Sequence, residues 1–263
     1  MESRTFPEFS LTRLIKNTFR PKIGEKICIL IDLPDLKLFN NFEFINYPEF
    51  SIQKHAHDSF YKSLHDGVMD DLNLIGGEMF AYMETGGSNL DLPASAVTKE
   101  GNEISLERDV YEKNDIILCI STYSATAPLT AFAKRIGFRG ATLHGVNDII
   151  LDSGLAVDYN EVSKNAEKLR RAVTRADHFE IDFQYGDITH TLKIECERQE
   201  AQKSHGICLP DEPDVANLPA GEVYFVPTGG EGRFVMQYAD GTLGLQTVKG
   251  GKIVNAALLR GEQ

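Results

Sequence analysis

A single carboxylate, Glu222, opens an apolar run that ends at Pro227. The run follows a Pro-Ala-Gly turn at 219–221 and precedes the pair Gly229-Gly230. Branched and aromatic residues between such turns predict a short, buried strand. An ionised carboxylate at the head of a buried strand is costly unless a cation or several donors meet it. Glu222 is therefore a candidate metal ligand, and an ion pair with Arg or Lys is the alternative.

Hydroxyl groups crowd the junction 121–126, which follows the aliphatic run at 115–121. Thr126 is a plausible N-cap of the next helix. Ligands of open α/β sheets bind at the carboxyl ends of strands, so capping and ligand binding both stay open for this junction. Ser124 is a poor nucleophile candidate, because no G-x-S-x-G elbow surrounds it. The sequence contains no phosphate-binding loop either.

Three histidines, His55, His57 and His65, fall in a segment with helical periodicity at 51–74. A helical zinc pair needs a spacing of four, whereas a spacing of two places His55 and His57 on different faces. We therefore predict a solvated helix face rather than a metal site. The acidic loop at 211–214 is interpreted in the same way, as a solvated loop.

Composition and charge restrict the kinds of partner that the protein is expected to bind and its expected location in the cell. The net charge of −12 disfavours nucleic acid and anionic lipid as partners, because binding to phosphate needs a basic surface. No apolar run approaches the ~18–20 residues that span a bilayer, and the first residues lack the apolar segment of a secretion signal. The four cysteines form no C-x-x-C pair. We expect buried, reduced thiols and a cytoplasmic protein without a membrane partner.

The first part of the chain alternates aliphatic runs with helical patterns. Strands are predicted at 24–33, 77–84, 115–121 and 140–144, and a helix at 127–136. Repeated strand, crossover and strand predict a parallel α/β layer.

The pattern changes near a charged amphipathic helix at 160–176. Beyond it, 178–185 and 188–196 alternate around Gly186-Asp187, which predicts a hairpin. More strands are predicted at 222–226, 233–238, 243–248 and 252–259. We predict an α/β domain with a parallel sheet over 1–165, followed by a β-rich, incomplete domain over 166–263.

Several blocks resemble the leucyl aminopeptidase/aminopeptidase T family of metallopeptidases: STYSATAPLTAFAKRIGFRGATLHGV, NLPAGEVYFVP and EGRFVMQYADGTLGLQTVKGGKIV. The resemblance covers about residues 110–260. It implies that Glu222 binds one of two divalent ions, which activate a water to remove N-terminal residues from peptides. Zinc, cobalt, manganese and iron stay open as the metal. The resemblance also implies a homodimer.

The family's other metal ligands lie beyond the equivalent of Gly261, and this chain ends at Gln263. The resemblance therefore implies a fragment or a shortened member, inactive by itself because one Glu cannot hold a metal pair. An iron-dependent ring-cleaving dioxygenase of the same superfamily, acting on a small molecule, is the alternative enzyme. A non-catalytic binding protein is the alternative if the chain is naturally complete.

Overall fold

The computed structural model describes residues 6–261. Its strands, in chain order, are β1 (Lys26–Leu33), β2 (Ile75–Met83), β3 (Ser95–Val97), β4 (Glu103–Ser105), β5 (Ile116–Ser121), β6 (Arg139–His144), β7 (His178–Tyr185), β8 (Ile188–Glu195), β9 (Gln202–Ser204), β10 (Val215–Asn217), β11 (Glu222–Tyr224), β12 (Gly229–Gln237), β13 (Leu243–Lys249) and β14 (Lys252–Arg260).

The α-helices are α1 (Leu11–Phe19), α2 (Ser51–His55), α3 (Met69–Leu72), α4 (Thr126–Ile136), α5 (Asp148–Leu151) and α6 (Tyr159–Thr174). The helical segment from α2 to α3 includes wider π-helical turns at Ala56–Tyr61 and Leu64–Val68, and a kink with non-helical backbone at Asp66 and Gly67 interrupts it. Another π-helical turn covers Leu106–Tyr111, and 3₁₀ turns cover Leu36–Asn46 and Pro48–Phe50. The helical pattern at 51–74 therefore predicts the segment but not its π turns.

Seven strands form the first sheet, in the order β10-β6-β5-β1-β2-β3-β4. β1 pairs in parallel with both β2 and β5, and β6 pairs in parallel with β5 and β10. β3 and β4 extend the sheet as antiparallel strands. The chain leaves β1 towards β2 and later returns to its other side as β5. The carboxyl ends of β1 and β5 therefore form the topological switch point of the sheet.

The central strands are buried on both faces, as their aliphatic runs require. β5 is buried throughout, and only Lys26 of β1 is not. Ile27, Ile29 and Ile31 belong to one hydrophobic core, whereas Cys28 and Leu30 belong to a second core. This alternation follows the period of two along a strand. The predicted α/β layer with a parallel sheet is confirmed.

The chain divides into two compact units, described here separately. The first comprises residues 1–164 with 204–221, and the second comprises 165–203 with 222–263. The first unit thus includes the segment of β10, which pairs with β6 at the sheet edge.

The second unit contains an antiparallel sheet in the order β14-β13-β12-β8-β7. β7 and β8 form the predicted hairpin, with Tyr185 opposite Ile188 beside the turn. The fold class of an α/β region followed by a β-rich region is therefore confirmed. Within residues 6–261, no helix is both long and apolar enough to cross a membrane.

Candidate functional site

A buried carboxylate, Asp32, lies at the topological switch point. Asp32 is 1% exposed near the end of β1. The amide N–H of Thr122, just after β5, donates to both of its carboxylate oxygens, each at 2.9 Å. Gln53 Nε2 of α2 donates to Oδ1 at 2.8 Å, and the Thr122 hydroxyl donates to the same oxygen at 3.2 Å. Two separate parts of the chain, α2 and the segment after β5, therefore hold one carboxyl group in place.

The surroundings of Asp32 favour its neutral form. Burial raises the pKa of the Asp32 carboxyl, while the donors of Thr122 and Gln53 lower it by a smaller amount. Among residues 6–261, no cation is one of the groups that act on this pKa. A carboxylate buried without a cation is costly to ionise, and acids perturbed in this way cluster at functional sites.

A second acid, Glu84, directly follows the neighbouring strand β2. Its amide N donates to the carbonyl oxygen of Leu33 at 3.0 Å, which continues the pairing of β2 with β1. Glu84 is half-buried, and its pKa is raised by burial and by the negative charge of Asp32. The carboxyl edge of the sheet therefore carries two acids, and the charge of Asp32 disfavours ionisation of Glu84.

The hydroxyl groups at 121–126 are connected to one another and to the sheet. Ser121 Oγ donates to the carbonyl oxygen of Tyr123 at 2.6 Å. Thr126 Oγ1 lies 3.1 Å from Ser124 Oγ and 2.6 Å from Thr142 Oγ1 of β6. Thr126 is the first residue of α4, so its assignment as N-cap is wrong; Ala125 occupies that position and provides no side-chain cap.

The N-terminus of α4 is capped from a distant loop instead. Asn89 Oδ1 accepts from the amide of Ala127 at 3.0 Å, and the amide of Asn89 donates to the carbonyl oxygen of Ser124 at 2.6 Å. Ser88 Oγ accepts from the amide of Ser124 at 3.2 Å. Asn89 has a left-handed φ of 61°, which Asn tolerates better than most residues. The loop after β2 is thereby fastened beside the switch point.

Sequence reasoning missed the residues that the fold brings together here. Asp32 was one residue of the predicted strand at 24–33, and Gln53 was one polar residue of the helical pattern at 51–74. The sequence did contain a signal for Asp32. An acid near the end of an aliphatic strand is expected to be buried beside the next strand of a parallel sheet.

The structure places Glu222 differently from the sequence expectation. β11 has three residues, of which Glu222 is exposed, Val223 is half-buried and Tyr224 is 52% exposed. The prediction of a buried strand headed by a carboxylate is therefore wrong, because the strand is short and open to solvent. Within residues 6–261, no group of three or more His, Cys, Asp or Glu residues could hold a metal ion. Metal binding by Glu222 stays a prediction.

The three histidines do not assemble into a metal site. His57 is 6% exposed, lies among Phe and Tyr rings and is hydrogen-bonded to Asp58 at 2.9 Å. His65 Nε2 lies 3.2 Å from the carbonyl oxygen of Gly77, whereas His55 pairs with Asp148 at 3.7 Å. The solvated-face prediction is thus wrong for His57, because the π-helical turn carries it into the aromatic cluster.

The acidic loop at 211–214 agrees with the prediction of a solvated loop, and the cysteines agree with the prediction of buried thiols. Asp211 is exposed and pairs with Lys22 at 2.7 Å. The four cysteines are free and buried.

Comparisons with known proteins identify a fold and no family. No family model matches the chain, and no curated protein matches it. The solved structure of 2,5-dihydroxypyridine dioxygenase from Pseudomonas putida KT2440 is similar, with a TM-score of 0.53 and 10% sequence identity. The match covers 90% of this chain and 63% of that chain, so this chain spans less than two thirds of the dioxygenase. At this identity the likeness shows the fold alone.

The assignment to the leucyl aminopeptidase/aminopeptidase T family is therefore wrong, and so are the peptidase and hydrolase activities inferred from it. The similar structure is an oxygenase, and no family model supports the resemblance. The motif was misleading, because its residues lie in ordinary structural elements. Asn217 belongs to the edge strand β10, and Glu222 starts a short exposed strand.

Proposed function

We propose that this protein binds a small polar molecule at the carboxyl edge of its parallel sheet, where β1 and β5 end. The observation that carries the proposal is the position of Asp32, a buried acid with no cationic partner acting on it. Open α/β sheets bind their ligands at this point. A perturbed acid there supports a binding role over a purely structural one.

The free capacity of Asp32 indicates what the ligand offers. Oδ1 accepts from three donors, one on Gln53 and two on Thr122, whereas Oδ2 accepts from the Thr122 amide, and the backbone of Tyr123 also donates to the carboxyl group. A carboxylate oxygen can accept more than one hydrogen bond, and a protonated one can donate. We therefore propose that the carboxyl group of Asp32 offers the ligand its remaining hydrogen-bonding capacity. With Glu84 on the neighbouring strand, the edge favours a ligand that presents O–H or N–H donors.

The fold likeness suggests the class of ligand. The similar structure is an enzyme whose name specifies 2,5-dihydroxypyridine. We extend the proposal to hydroxylated nitrogen heterocycles, which carry an O–H donor and, in the 2-pyridone tautomer, a ring N–H donor on one planar ring.

Calorimetric titration of the full chain with 2,5-dihydroxypyridine tests this function. We expect binding of this compound, no binding of unsubstituted pyridine, and about tenfold weaker binding by Asp32→Asn, as loss of one hydrogen bond to the carboxyl group implies. Asp115→Asn is the matched control, because Asp115 accepts from the Lys26 amide at 2.7 Å, where β1 begins. Absence of binding in the unmodified protein, or equal binding by Asp32→Asn, contradicts the proposal.

A ring-cleaving dioxygenase is the second candidate, and only the fold likeness favours it. Iron would supply the activation of oxygen in such an enzyme. The described residues do not fit an iron centre, since they contain no group of three ligating side chains and Glu222 is exposed. Oxygen uptake with 2,5-dihydroxypyridine and added ferrous iron tests this candidate. If Glu222 is a ligand, Glu222→Ala lowers the iron content after gel filtration and Glu180→Ala does not; equal iron content excludes that role.

We further propose a cytoplasmic location, supported by the four free, buried thiols. Proteins of oxidising compartments use cysteines as disulfides instead. Recovery of the chain in the cytosolic fraction of its cells is the expected result, and recovery in a secreted fraction contradicts it.

A further inference from the structure

A cavity of about 230 Å³ lies beside the first half of β2. Two stretches of consecutive residues line it, 76–80 of β2 and 98–100 after β3, together with Tyr61 and His65. Consecutive residues on both sides place the cavity between the edges of two strands rather than on one face of the sheet. The lining contains neither Asp32 nor Gln53 nor Thr122, so the cavity is distinct from the candidate site at the switch point.

The strands β2 and β3 separate at this cavity. Within residues 6–261, the pair of Ala81 with Val97 is the only one that joins them. Two residues beyond Val97, the carbonyl oxygen of Lys99 accepts from the amide of Asn41 at 3.0 Å. In a regular antiparallel ladder, Lys99 would instead pair with Met79. The edge of β2 at Met79 therefore has no strand beside it.

The backbone N–H and C=O of Met79 point into this gap. Along a strand, the backbone groups of successive residues point to alternate sides. The amide of Glu84 donates to the carbonyl oxygen of Leu33 in β1, and the register is regular from Glu78 to Met83, so Met79 faces away from β1. Met79 is 4% exposed, and among residues 6–261 no strand pairs with it on this side. A buried donor and acceptor without partners are costly, so a ligand in the gap gains two hydrogen bonds.

The neighbouring carbonyl group, that of Gly77, has a side chain as its partner. Its oxygen lies 3.2 Å from His65 Nε2, and because a carbonyl only accepts, Nε2 carries the hydrogen. A Cβ at Gly77 would lie 3.2 Å from His65 Cε1 and 2.8 Å from Met69 Sδ, so this approach requires glycine. His65 belongs to the π-helical turn Leu64–Val68, and such turns are frequent at functional sites.

The walls of the cavity suit one planar, uncharged ring. Tyr61 and Phe80 line it and are half-buried. Its charged lining residues are of both signs and exposed, and therefore favour no charged ligand: Glu78, Lys99 and Glu100. An apolar cavity of about 150 Å³ holds benzene, so the larger volume here accepts a six-membered ring with substituents.

We propose that this cavity binds a small, neutral heterocycle with a lactam edge, the arrangement found in uracil. The ring N–H of the lactam donates to the carbonyl oxygen of Met79, and its carbonyl oxygen accepts from the Met79 amide. The ligand thereby makes the two hydrogen bonds that Lys99 would make in a continuous ladder. This inference does not depend on the function proposed for Asp32.

Calorimetric titration of the full chain with uracil tests the proposal. We expect saturable binding with a dissociation constant of about 1 mM or less, the range for a ligand of this size. 1,3-Dimethyluracil is the matched ligand, because it keeps the ring and both carbonyl groups but has no N–H. It should bind about tenfold more weakly or not at all, as loss of one hydrogen bond implies. Equal binding of the two compounds, or no binding of uracil at roughly 10 mM, overturns the proposal.

Nuclear magnetic resonance locates the bound ring directly. The chain has five methionines, so selective ¹⁵N labelling of methionine gives few amide signals, and Met79→Leu identifies that of Met79. We expect uracil to shift the Met79 signal downfield, as a new hydrogen bond to its N–H implies, and to shift those of Met69, Met83 and Met236 less. An unchanged Met79 signal at saturation overturns the proposal, whatever the affinity.

Two substitutions separate this cavity from other sites. Tyr61→Ala removes one wall and should weaken uracil binding about tenfold. Tyr47→Ala is its matched control, because Tyr47 also packs against a ring, that of Phe50, but does not line the cavity. Asp32→Asn should leave uracil binding unchanged, whatever it does to binding of 2,5-dihydroxypyridine. Loss of uracil binding in Asp32→Asn, or equal binding by the two tyrosine variants, overturns the proposal; if Tyr61→Ala does not fold, the Met79 signal decides.

Discussion

The amide nitrogen of Thr122 lies 2.9 Å from both carboxylate oxygens of Asp32. This one N–H joins the ends of β1 and β5 where the chain order of the sheet reverses. Gln53 approaches the same carboxyl group from α2 and donates to the carbonyl oxygen of Asp32 as well, at 2.9 Å. The geometry of the candidate site is therefore fixed by a group that is costly to ionise, which gives the site a pH dependence.

The free energy of unfolding should contain a component from Asp32 that decreases as pH rises. The pKa of Asp32 is raised in the folded protein, so between its unfolded and folded values the folded state binds more protons. The component is present at acid pH and is lost as pH rises through the folded pKa. Urea unfolding at several pH values should show Asp32→Asn gaining stability relative to the unmodified protein as pH increases.

Asp109 provides a control of opposite sign. The side chain of Lys113 and the amide of Ser105 lower the pKa of Asp109, so its contribution is lost as pH falls. Asp109→Asn should therefore lose stability relative to the unmodified protein at neutral pH and not at low pH. The same sign for both variants would contradict the assignment of the Asp32 pKa.

Arg139→Met should be strongly destabilising. Arg139 is 4% exposed, pairs with both carboxylate oxygens of Glu25 at 2.7 and 2.8 Å, and donates to the carbonyl oxygens of Phe19 and Cys208. Removing it leaves a largely buried carboxylate without its cation, at a cost of about 3–5 kcal/mol. Chemical denaturation measures this cost.

Arg135→Met is the comparison for that experiment. Arg135 also forms a two-point ion pair, with Glu107 at 2.8 and 2.9 Å, but both side chains are exposed. Exposed pairs contribute about 0–1 kcal/mol. Equal losses in the two variants would show that burial of the Arg139 pair does not matter.

Gly76→Ala should cost more than Gly24→Ala. Both glycines have positive φ, 91° and 82°, so both variants strain the backbone. A Cβ at Gly76 would also lie 2.8 Å from the carbonyl oxygen of Ile27 on the neighbouring strand, whereas a Cβ at Gly24 meets nothing within 4 Å. The strain alone costs on the order of 1 kcal/mol, and the backbone clash should add at least as much. Thermal unfolding of the two variants compares them, and equal losses would contradict the register at the start of β2.

Asn89→Gly should destabilise the protein by about 1 kcal/mol, because it removes one hydrogen bond to the first turn of α4 and keeps the left-handed backbone. This is the 3.0 Å hydrogen bond from the Ala127 amide to Asn89 Oδ1. Asn73→Gly is the control, since Asn73 also has a left-handed φ, 52°, but lies at the C-terminal end of α3. Chemical denaturation should show a smaller loss for Asn73→Gly, and similar losses would assign the effect to the backbone.

The parallel sheet could be predicted because long aliphatic runs leave few alternatives. The runs at 24–33 and 115–121 contain β1 and β5, and turn residues marked the β7–β8 hairpin. β10 could not be predicted, because three residues have no measurable period and its pairing with β6 joins distant parts of the chain.

The candidate site depended on contacts that no local pattern contains. Gln53 is 21 positions from Asp32, and Thr122 is 90 positions away. The burial of Glu222 was wrongly predicted for the opposite reason. The local sequence matched a motif, but a local sequence does not specify whether its strand is buried.

Residues 204–221 belong to the first unit, although the chain before them belongs to the second. This arrangement limits where the chain can be truncated. A piece that stops at the crossing between the units would lack β10 and leave the outer edge of β6 open. Open edges recruit strands from other molecules, so such a piece should precipitate even though it retains both hydrophobic cores almost complete. During synthesis, the ribosome must finish the hairpin of the second unit before it releases the last strand of the first.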